Sequence, residues 1–188
     1  FGIEVLSTLT GFKYIAQQIK EQEDEGGKHF VFGYEESYGY LAGNFVRDKD
    51  AVIASMLISE MAAYYKNKGM TLYDALTKLY EKYGYHMEEL ISLVLKGKEG
   101  AEKIGRIMDK MRNKPPKAVA GLAISEVRDY MIYEGPIKLP KDNVLYFVLE
   151  DGSWFAMRPS GTEPKLKIYI GVADSSQGAL NISHKKKD

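Results

Sequence analysis

The stretch from Val144 to Met157, Val-Leu-Tyr-Phe-Val-Leu-Glu-Asp-Gly-Ser-Trp-Phe-Ala-Met, decides the fold of the second half of the chain. Two apolar runs, 144–149 and 154–157, flank an Asp-Gly pair, which is a strong signal for a β-hairpin. The next run, Leu166 to Val172, alternates aliphatic residues with lysine and tyrosine, the pattern of a strand with one buried face. These three strands predict a mainly antiparallel sheet.

Upstream of the hairpin, further signals place this sheet in a mixed domain. Residues 89–96 predict a strand, residues 97–100 a turn, and residues 101–112 an amphipathic helix. We therefore expect residues 85–188 to form an α+β domain with a mainly antiparallel sheet, with a tail that frays from about residue 175.

The first half of the chain, residues 1–84, is rich in helical patterns and poor in strand patterns. Residues 10–22 and 51–68 have helical apolar spacing, and the second run is apolar on more than one face, which predicts a helix packed on both sides. Residues 29–32 predict a short buried strand, followed by a polar, aromatic loop over 33–40. This balance predicts a partial α/β domain.

Composition excludes several classes of function. The 188 residues carry 26 Lys and Arg against 26 Asp and Glu, and this neutral balance argues against a general nucleic-acid binder. The absence of Cys removes disulfides, thiolate catalysis and Cys-type zinc sites. No apolar run reaches about 18 residues and no secretory signal is visible, so we expect a cytoplasmic protein without a membrane span. The chain opens on Phe1, and we expect it to be part of a longer protein.

A pair of carboxylates and a hydroxyl follow the predicted short strand. Glu35, Glu36 and Ser37 lie between Gly33 and Gly39. Ligands of open α/β sheets bind at the carboxyl ends of strands, and carboxylates and hydroxyls are suitable partners for sugar hydroxyls. The residues alone leave two interpretations open, a binding site for a sugar and a solvated turn.

The stretch 158–165, Arg-Pro-Ser-Gly-Thr-Glu-Pro-Lys, joins two predicted strands and concentrates groups that bind an anion. Its arginine can hold an anion with a bidentate fork, its hydroxyls can donate, and its glycine lets the backbone approach a ligand. An ordinary Pro-Gly turn is the alternative, and we favour a phosphate cradle. The predicted phosphate-binding residues are Arg158, Ser160, Gly161, Thr162 and Lys165.

A short charged segment, Arg47-Asp-Lys-Asp50, precedes the predicted long helix. Lys49 offers a positive charge for a second phosphate. Alternatively, the segment only caps the N-terminus of the helix. The cap is the better interpretation unless Glu35–Ser37 forms a site.

Taken together and in this order, four segments resemble those of the α-D-phosphohexomutases, the phosphoglucomutase/phosphomannomutase family. Thr8-Leu-Thr-Gly-Phe-Lys-Tyr14 is similar to the start of a helix in the family's third domain, and Gly33–Gly39 to its sugar-recognition loop. Arg47–Asp50 resembles the basic element that follows, and 158–165 resembles the phosphate-binding loop of the fourth domain. The resemblance covers nearly the whole chain up to about Asp174, and it implies most of domain three followed by domain four.

The resemblance implies a chemistry. The family moves a phosphoryl group between the 1- and 6-positions of a hexose, or the 1- and 5-positions of a pentose, through a phosphoserine enzyme and a bisphosphate intermediate. For glucose this intermediate is glucose 1,6-bisphosphate, and Mg²⁺ held by the second domain assists. By carry-over, Glu35, Glu36 and Ser37 would contact the sugar, Lys49 would meet phosphate, and the 158–165 loop would hold the phosphate that is not transferred.

Two of the family's motifs are absent from the 188 residues, the catalytic loop T-x-S-H-N-P and the metal loop D-G-D-x-D-R. We therefore assign no catalytic and no metal-binding residue to this chain and expect it to be inactive alone. Its expected partners are a phosphosugar and the N-terminal domains of the same protein. Gly39 stands where the mannose-accepting branch has His, which favours glucose. The alternatives are a phosphopentomutase, a phosphomannomutase, a non-catalytic sugar-phosphate-binding module or a plain structural domain.

Overall fold

The computed structural model describes residues 2–35, 38–135, 139–161 and 163–174. The chain divides into two compact units, Phe1–Thr77 and Lys78–Asp188. The boundary falls within one helix, α3 (Leu72–Tyr83). Within the described part of the chain, no helix is both long and apolar enough to cross a membrane.

The first unit places a β-hairpin between two helices along the chain. Its elements before α3 are α1 (Phe12–Asp24), β1 (Phe32–Glu35), β2 (Gly39–Ala42) and α2 (Ala51–Lys66). Phe12 and Ile19, seven residues apart on one face of α1, pack with Leu41 of β2 in a buried cluster. The helix predicted over residues 10–22 is therefore confirmed.

The strand predicted over residues 29–32 and the loop predicted over 33–40 are both wrong. The strands are β1 and β2, which pair antiparallel with Glu35 opposite Gly39. Phe32 is 49% exposed, so the strand is not buried. Glycines and carboxylates indicated a loop, but the aromatic residues among them favour extended backbone, and pairing between the two halves of the segment satisfies that backbone.

Helix α2 confirms the predicted long helix but not its predicted packing on two sides. None of its residues is buried, and Val52, Met56 and Met61 are about half exposed or more. Helix α2 stays exposed because, among the described residues of this unit, the only sheet it can pack against is the two-stranded hairpin.

A capping box begins α3, as the Thr71-x-x-Asp74 spacing predicts. The hydroxyl of Thr71 accepts a hydrogen bond from the Asp74 amide at 3.1 Å. In return, the Asp74 carboxylate accepts one from the Thr71 amide at 2.8 Å. The two residues thus satisfy amides that the helix itself leaves without partners.

The second unit is an antiparallel sheet with a helix on one face. After α3 it contains β3 (Tyr85–Val94), α4 (Gly97–Asn113), β4 (Ala118–Val119), β5 (Leu122–Asp129), β6 (Leu145–Leu149), β7 (Trp154–Pro159) and β8 (Lys165–Asp174). The six strands lie in the order β3-β8-β7-β6-β5-β4, and each neighbouring pair is antiparallel. The predicted α+β fold with a mainly antiparallel sheet is confirmed.

Helix α4 covers the core of this sheet. Ile104 and Met108, one helical turn apart, pack on the buried Leu145 and Phe147 of β6. The ring of Phe147 stacks on that of Phe155 in β7 with ring centroids 4.4 Å apart. The core therefore consists of apolar residues of α4 packed against the β6–β7 hairpin.

The opposite face of the sheet carries a row of aromatic rings. Tyr146 and Trp154 stack with centroids 5.1 Å apart, and the guanidinium of Arg128 lies 5.3 Å from the Tyr146 ring. Burial raises the pKa of the Tyr146 hydroxyl to about 12. Strand alternation places Arg158 on this same face, two residues beyond Ala156.

The predicted hairpin over residues 144–157 is confirmed as β6 and β7. Gly152 in its turn has a φ of +83°, a conformation that glycine adopts without strain. Three other features of this unit differ from the sequence prediction. Strand β3 begins at Tyr85 rather than 89, residues 97–100 form the first turn of α4 rather than a separate turn, and residues 118–129 contain β4 and β5, which no local pattern indicated.

Candidate functional site

The hairpin of the first unit brings a carboxylate and an ammonium group together. Glu35 ends β1, Gly39 begins β2 opposite it, and Lys49 lies in the segment before α2. A Cβ atom placed on Gly39 would lie 2.7 Å from Cγ of Lys49 and 3.0 Å from Oε2 of Glu35. The Lys49 side chain therefore passes over Gly39 beside the Glu35 carboxylate.

Neighbouring groups keep Lys49 charged. Its Nζ donates a hydrogen bond to Oδ1 of Asp48 at 2.9 Å, which raises the pKa of Lys49 and lowers the pKa of Asp48. The charge of Glu35 also raises the pKa of Lys49. The same Nζ lies 5.2 Å from the ring centroid of Phe12. Because an ammonium has three donors, the bond to Asp48 leaves Lys49 chemically able to bind a ligand oxygen.

The residues of the charged segment 47–50, before α2, have different partners. Asp50 caps the helix, since its carboxylate accepts hydrogen bonds from the amides of Val52 and Ile53 at 2.9 and 3.1 Å. Arg47 pairs with Glu23 of α1. The capping interpretation thus holds for Asp50, whereas Lys49 points toward the hairpin and not toward the helix.

In the second unit, the loop between β7 and β8 is closed by two backbone hydrogen bonds. The amide of Ser160 donates to the carbonyl of Lys165 at 2.8 Å, and the amide of Lys165 donates to the carbonyl of Glu163 at 2.7 Å. These two amides are used within the loop itself. At Gly161 an added Cβ would meet no described atom within 4 Å. Gly161 is therefore the open point at which the loop backbone can approach a ligand.

Cationic side chains gather at this end of the sheet. Lys167 lies opposite Arg158 in the register of β7 and β8. Alternation along β8 places Lys165 on the same face as Lys167. Nε of Arg158 lies 3.6 Å from Oδ2 of Asp142, an ion pair that engages one side of the guanidinium. An anion would use the two terminal nitrogens.

Lys165 and Lys167 differ in their surroundings. Nζ of Lys165 lies 2.9 Å from Oε2 of Glu163, and this hydrogen bond lowers the pKa of Glu163. Lys167 contributes more weakly to the same pKa through its charge. Sequence reasoning named Lys165 and missed Lys167, although the alternation over residues 166–172 puts both lysines on one face with Arg158.

Three of the nine predicted site residues, Glu36, Ser37 and Thr162, lie outside the described residues, as does the tail from residue 175 that we expect to fray. In the first unit the structure brings Glu35 and Lys49 together, and in the second it groups Arg158, Ser160, Gly161 and Lys165 around one loop. Across the described ranges, no three His, Asp or Glu side chains form a cluster that could hold a metal ion.

Comparison with known proteins defines the class of the chain. Residues 1–83 match the model for the α/β/α domain III of phosphoglucomutase/phosphomannomutase, and residues 90–183 match the model for the C-terminal domain of the same family. The chain therefore belongs to the phosphoglucomutase/phosphomannomutase family, as the four sequence segments predict. It corresponds to domains III and IV of that family.

Individual relatives are phosphoglucomutases. The chain is 42% identical to the phosphoglucomutase of Staphylococcus aureus strain bovine RF122 over 180 residues, and 42% identical to that of Staphylococcus haemolyticus over 179. These matches cover 91% and 90% of this chain, which spans about a third (32%) of the length of each relative. Among solved structures, the open form of pp63/parafusin, a phosphoglucomutase from Paramecium, matches with a TM-score of 0.68 and 22% identity. That match covers 99% of this chain and 33% of the Paramecium chain, and it shows a shared fold.

Proposed function

We propose that this chain supplies the sugar- and phosphate-binding loops of an enzyme that interconverts glucose 1-phosphate and glucose 6-phosphate. The observation that carries the proposal is the cationic end of the sheet at the β7–β8 loop, where Lys167 lies opposite Arg158 beside the open backbone at Gly161. Relatives that share 42% of the sequence are named phosphoglucomutases, which supports glucose as the sugar.

The loop at residues 158–165 would hold the phosphate that stays on the sugar. Arg158 would present its two terminal nitrogens as a fork, and Lys167 would add a second positive charge from the neighbouring strand. Ser160, Thr162 and Lys165 would complete the cradle. Holding this remote phosphate orients the reacting end of the substrate, so binding energy there lowers the barrier to transfer.

The hairpin of the first unit would bind the sugar. A sugar hydroxyl both donates and accepts hydrogen bonds, and Glu35 with Lys49 offers an acceptor and a donor side by side. Lys49 is equally suited to a phosphate oxygen. Glu36 and Ser37 follow Glu35 in the sequence and would extend the same contact surface.

We assign the chemical step to the N-terminal domains, since the family's catalytic serine loop and metal loop are absent from the 188 residues. When bound there, Mg²⁺ would neutralise charge on the transferring phosphoryl group. The phosphoserine and the glucose 1,6-bisphosphate intermediate belong to the same proposal, as does a cytoplasmic location. We therefore expect no turnover from the 188 residues alone.

A chimeric enzyme tests this proposal. The matching 180-residue segment of the Staphylococcus aureus phosphoglucomutase would be replaced by this chain. We expect the chimera to convert glucose 1-phosphate to glucose 6-phosphate in a coupled assay, faster than it converts the corresponding mannose or ribose phosphates. The isolated chain should show no turnover. A folded chimera that is inactive with all three sugars would contradict the proposal, and a preference for ribose or mannose would contradict the choice of glucose.

A further inference from the structure

We infer that Gly39 is a positioning residue for Lys49: the lack of a side chain at position 39 lets Lys49 lie across the hairpin beside Glu35. The inference rests on the proposed role of the hairpin in binding a sugar phosphate. It assigns Gly39 a task that the turn-forming preference of glycine does not explain.

The space above Gly39 is already filled by Lys49. A Cβ atom on Gly39 would lie against Cδ of Lys49 and 2.7 Å from its Cγ, closer than real Cβ atoms approach other heavy atoms. The backbone gives no separate reason for glycine, since Gly39 is a strand residue whose φ lies outside the left-handed region. Space for the lysine, rather than freedom of the backbone, is therefore what glycine provides at this position in this chain.

Lys49 is held on its other sides as well. Asp48 bonds its Nζ at 2.9 Å, and the ring of Phe12 lies 5.2 Å from that atom. Glu35 lies on the hairpin side, with Oε2 3.0 Å from the position that a Cβ on Gly39 would take. A methyl group at position 39 would push the alkyl chain of Lys49 away from Glu35. Because a lysine chain is flexible, it would yield before the strand backbone does.

Gly33, the other glycine of the 33–39 motif, has a packing role instead. A Cβ atom on Gly33 would lie 3.0 Å from Ile15 and 3.1 Å from Phe30, both of which pack on the buried cluster of the first unit. Substitution at Gly33 would therefore disturb the core. Substitution at Gly39 would instead change the placement of Lys49 and of the Glu35 carboxylate beside it.

A double-mutant cycle on the 188-residue chain tests the inference, with glucose 6-phosphate binding measured by calorimetry. We expect Gly39→Ala and Lys49→Met each to weaken binding by about tenfold, the effect of one hydrogen bond to a charged group. We expect no further loss in the double variant, because both changes remove the same contact. The unfolding midpoint should stay unchanged. Gly105→Ala is the matched control, since a Cβ there meets no described atom within 4 Å, and its affinity should equal that of the unchanged chain.

The outcomes separate this inference from the proposed function. Unchanged affinity in Gly39→Ala, or losses that add in the double variant, would overturn the inference while the unchanged chain still binds. If the unchanged chain binds no glucose 6-phosphate, the proposed role of the hairpin fails. In that case, nuclear Overhauser contacts between the Gly39 α-protons and the Lys49 side chain test the position of Lys49 without any ligand. Their presence supports the inference, and their absence overturns it.

Discussion

Arg158→Ala is expected to weaken the binding of glucose 6-phosphate to this chain by roughly tenfold to a hundredfold. A hydrogen bond to a charged group contributes about 1.5–3 kcal/mol, and about 1.4 kcal/mol corresponds to a factor of ten. Arg158 offers a fork of two such bonds from a half-buried position opposite Lys167. Calorimetric titration of the 188-residue chain measures the loss.

Two matched variants make this prediction specific. Arg158→Lys keeps the charge but loses the planar fork, so it should fall between the unchanged chain and Arg158→Ala. Arg106→Ala removes the same charge from the exposed side of α4 in the same unit, where the side chain is 68% exposed. We expect it to leave the affinity unchanged. An equal loss in Arg106→Ala would mean that net charge alone matters, and that result would contradict the phosphate site at Arg158.

The largest loss of stability is expected from Phe147→Ala. The side chain of Phe147, in β6, is fully buried on the sheet face that α4 covers, and its ring stacks on that of Phe155. Removing a buried phenyl group costs about 3–5 kcal/mol, because the cavity it leaves closes only partly. A domain has a total stability of about 5–15 kcal/mol. The free energy of unfolding of the second unit should therefore fall by a large fraction.

Fluorescence during urea unfolding can measure this change. The single tryptophan of the chain, Trp154, lies in β7 of the same sheet and reports on this unit. Ile132→Ala is the matched control, since Ile132 is 77% exposed and its truncation should shift the free energy of unfolding by no more than about 0.5 kcal/mol. Similar small shifts in both variants would show that α4 does not pack on β6 as described.

The parts of the fold that the sequence predicted are those with strong local signals. The Asp-Gly turn between β6 and β7 and the alternation in β8 depend on neighbouring residues, so they can be recognised without knowing the rest of the chain. Likewise, Thr71 and Asp74 lie three residues apart and together form the capping box at the start of α3. In each case the residues that form the structure lie within a few positions of one another.

Features that depend on pairing with a distant partner could not be predicted in this way. Strand β5 pairs with β6, which follows after a long connection, and β4 in turn pairs with β5, so no local pattern marks either strand. The β1–β2 hairpin could not be predicted because its glycines and carboxylates are equally typical of a loop. Helix α2 shows the reverse case, since an apolar pattern predicts burial only where a covering element is present.

The same division holds for the candidate site. The anion-binding chemistry of Arg158 could be inferred from the loop itself, because the residues of that loop are consecutive. The proximity of Lys49 to Glu35 could not be inferred in this way, since the two residues lie in separate segments on either side of Gly39. Likewise, the pairing of Lys165 with Glu163 and the position of Lys167 opposite Arg158 emerge from the geometry of the closed loop and the strand register.

The most direct test of the proposed binding loops is an amide chemical-shift titration of the 188-residue chain with glucose 6-phosphate, ribose 5-phosphate and inorganic phosphate. We predict shifts at Ser160–Lys167 with all three ligands, because all three carry the phosphate. We predict additional shifts at Glu35 and Gly39 with glucose 6-phosphate and not with the other two. Shifts at neither loop with any of the three ligands would contradict the assignment of both loops to a sugar phosphate.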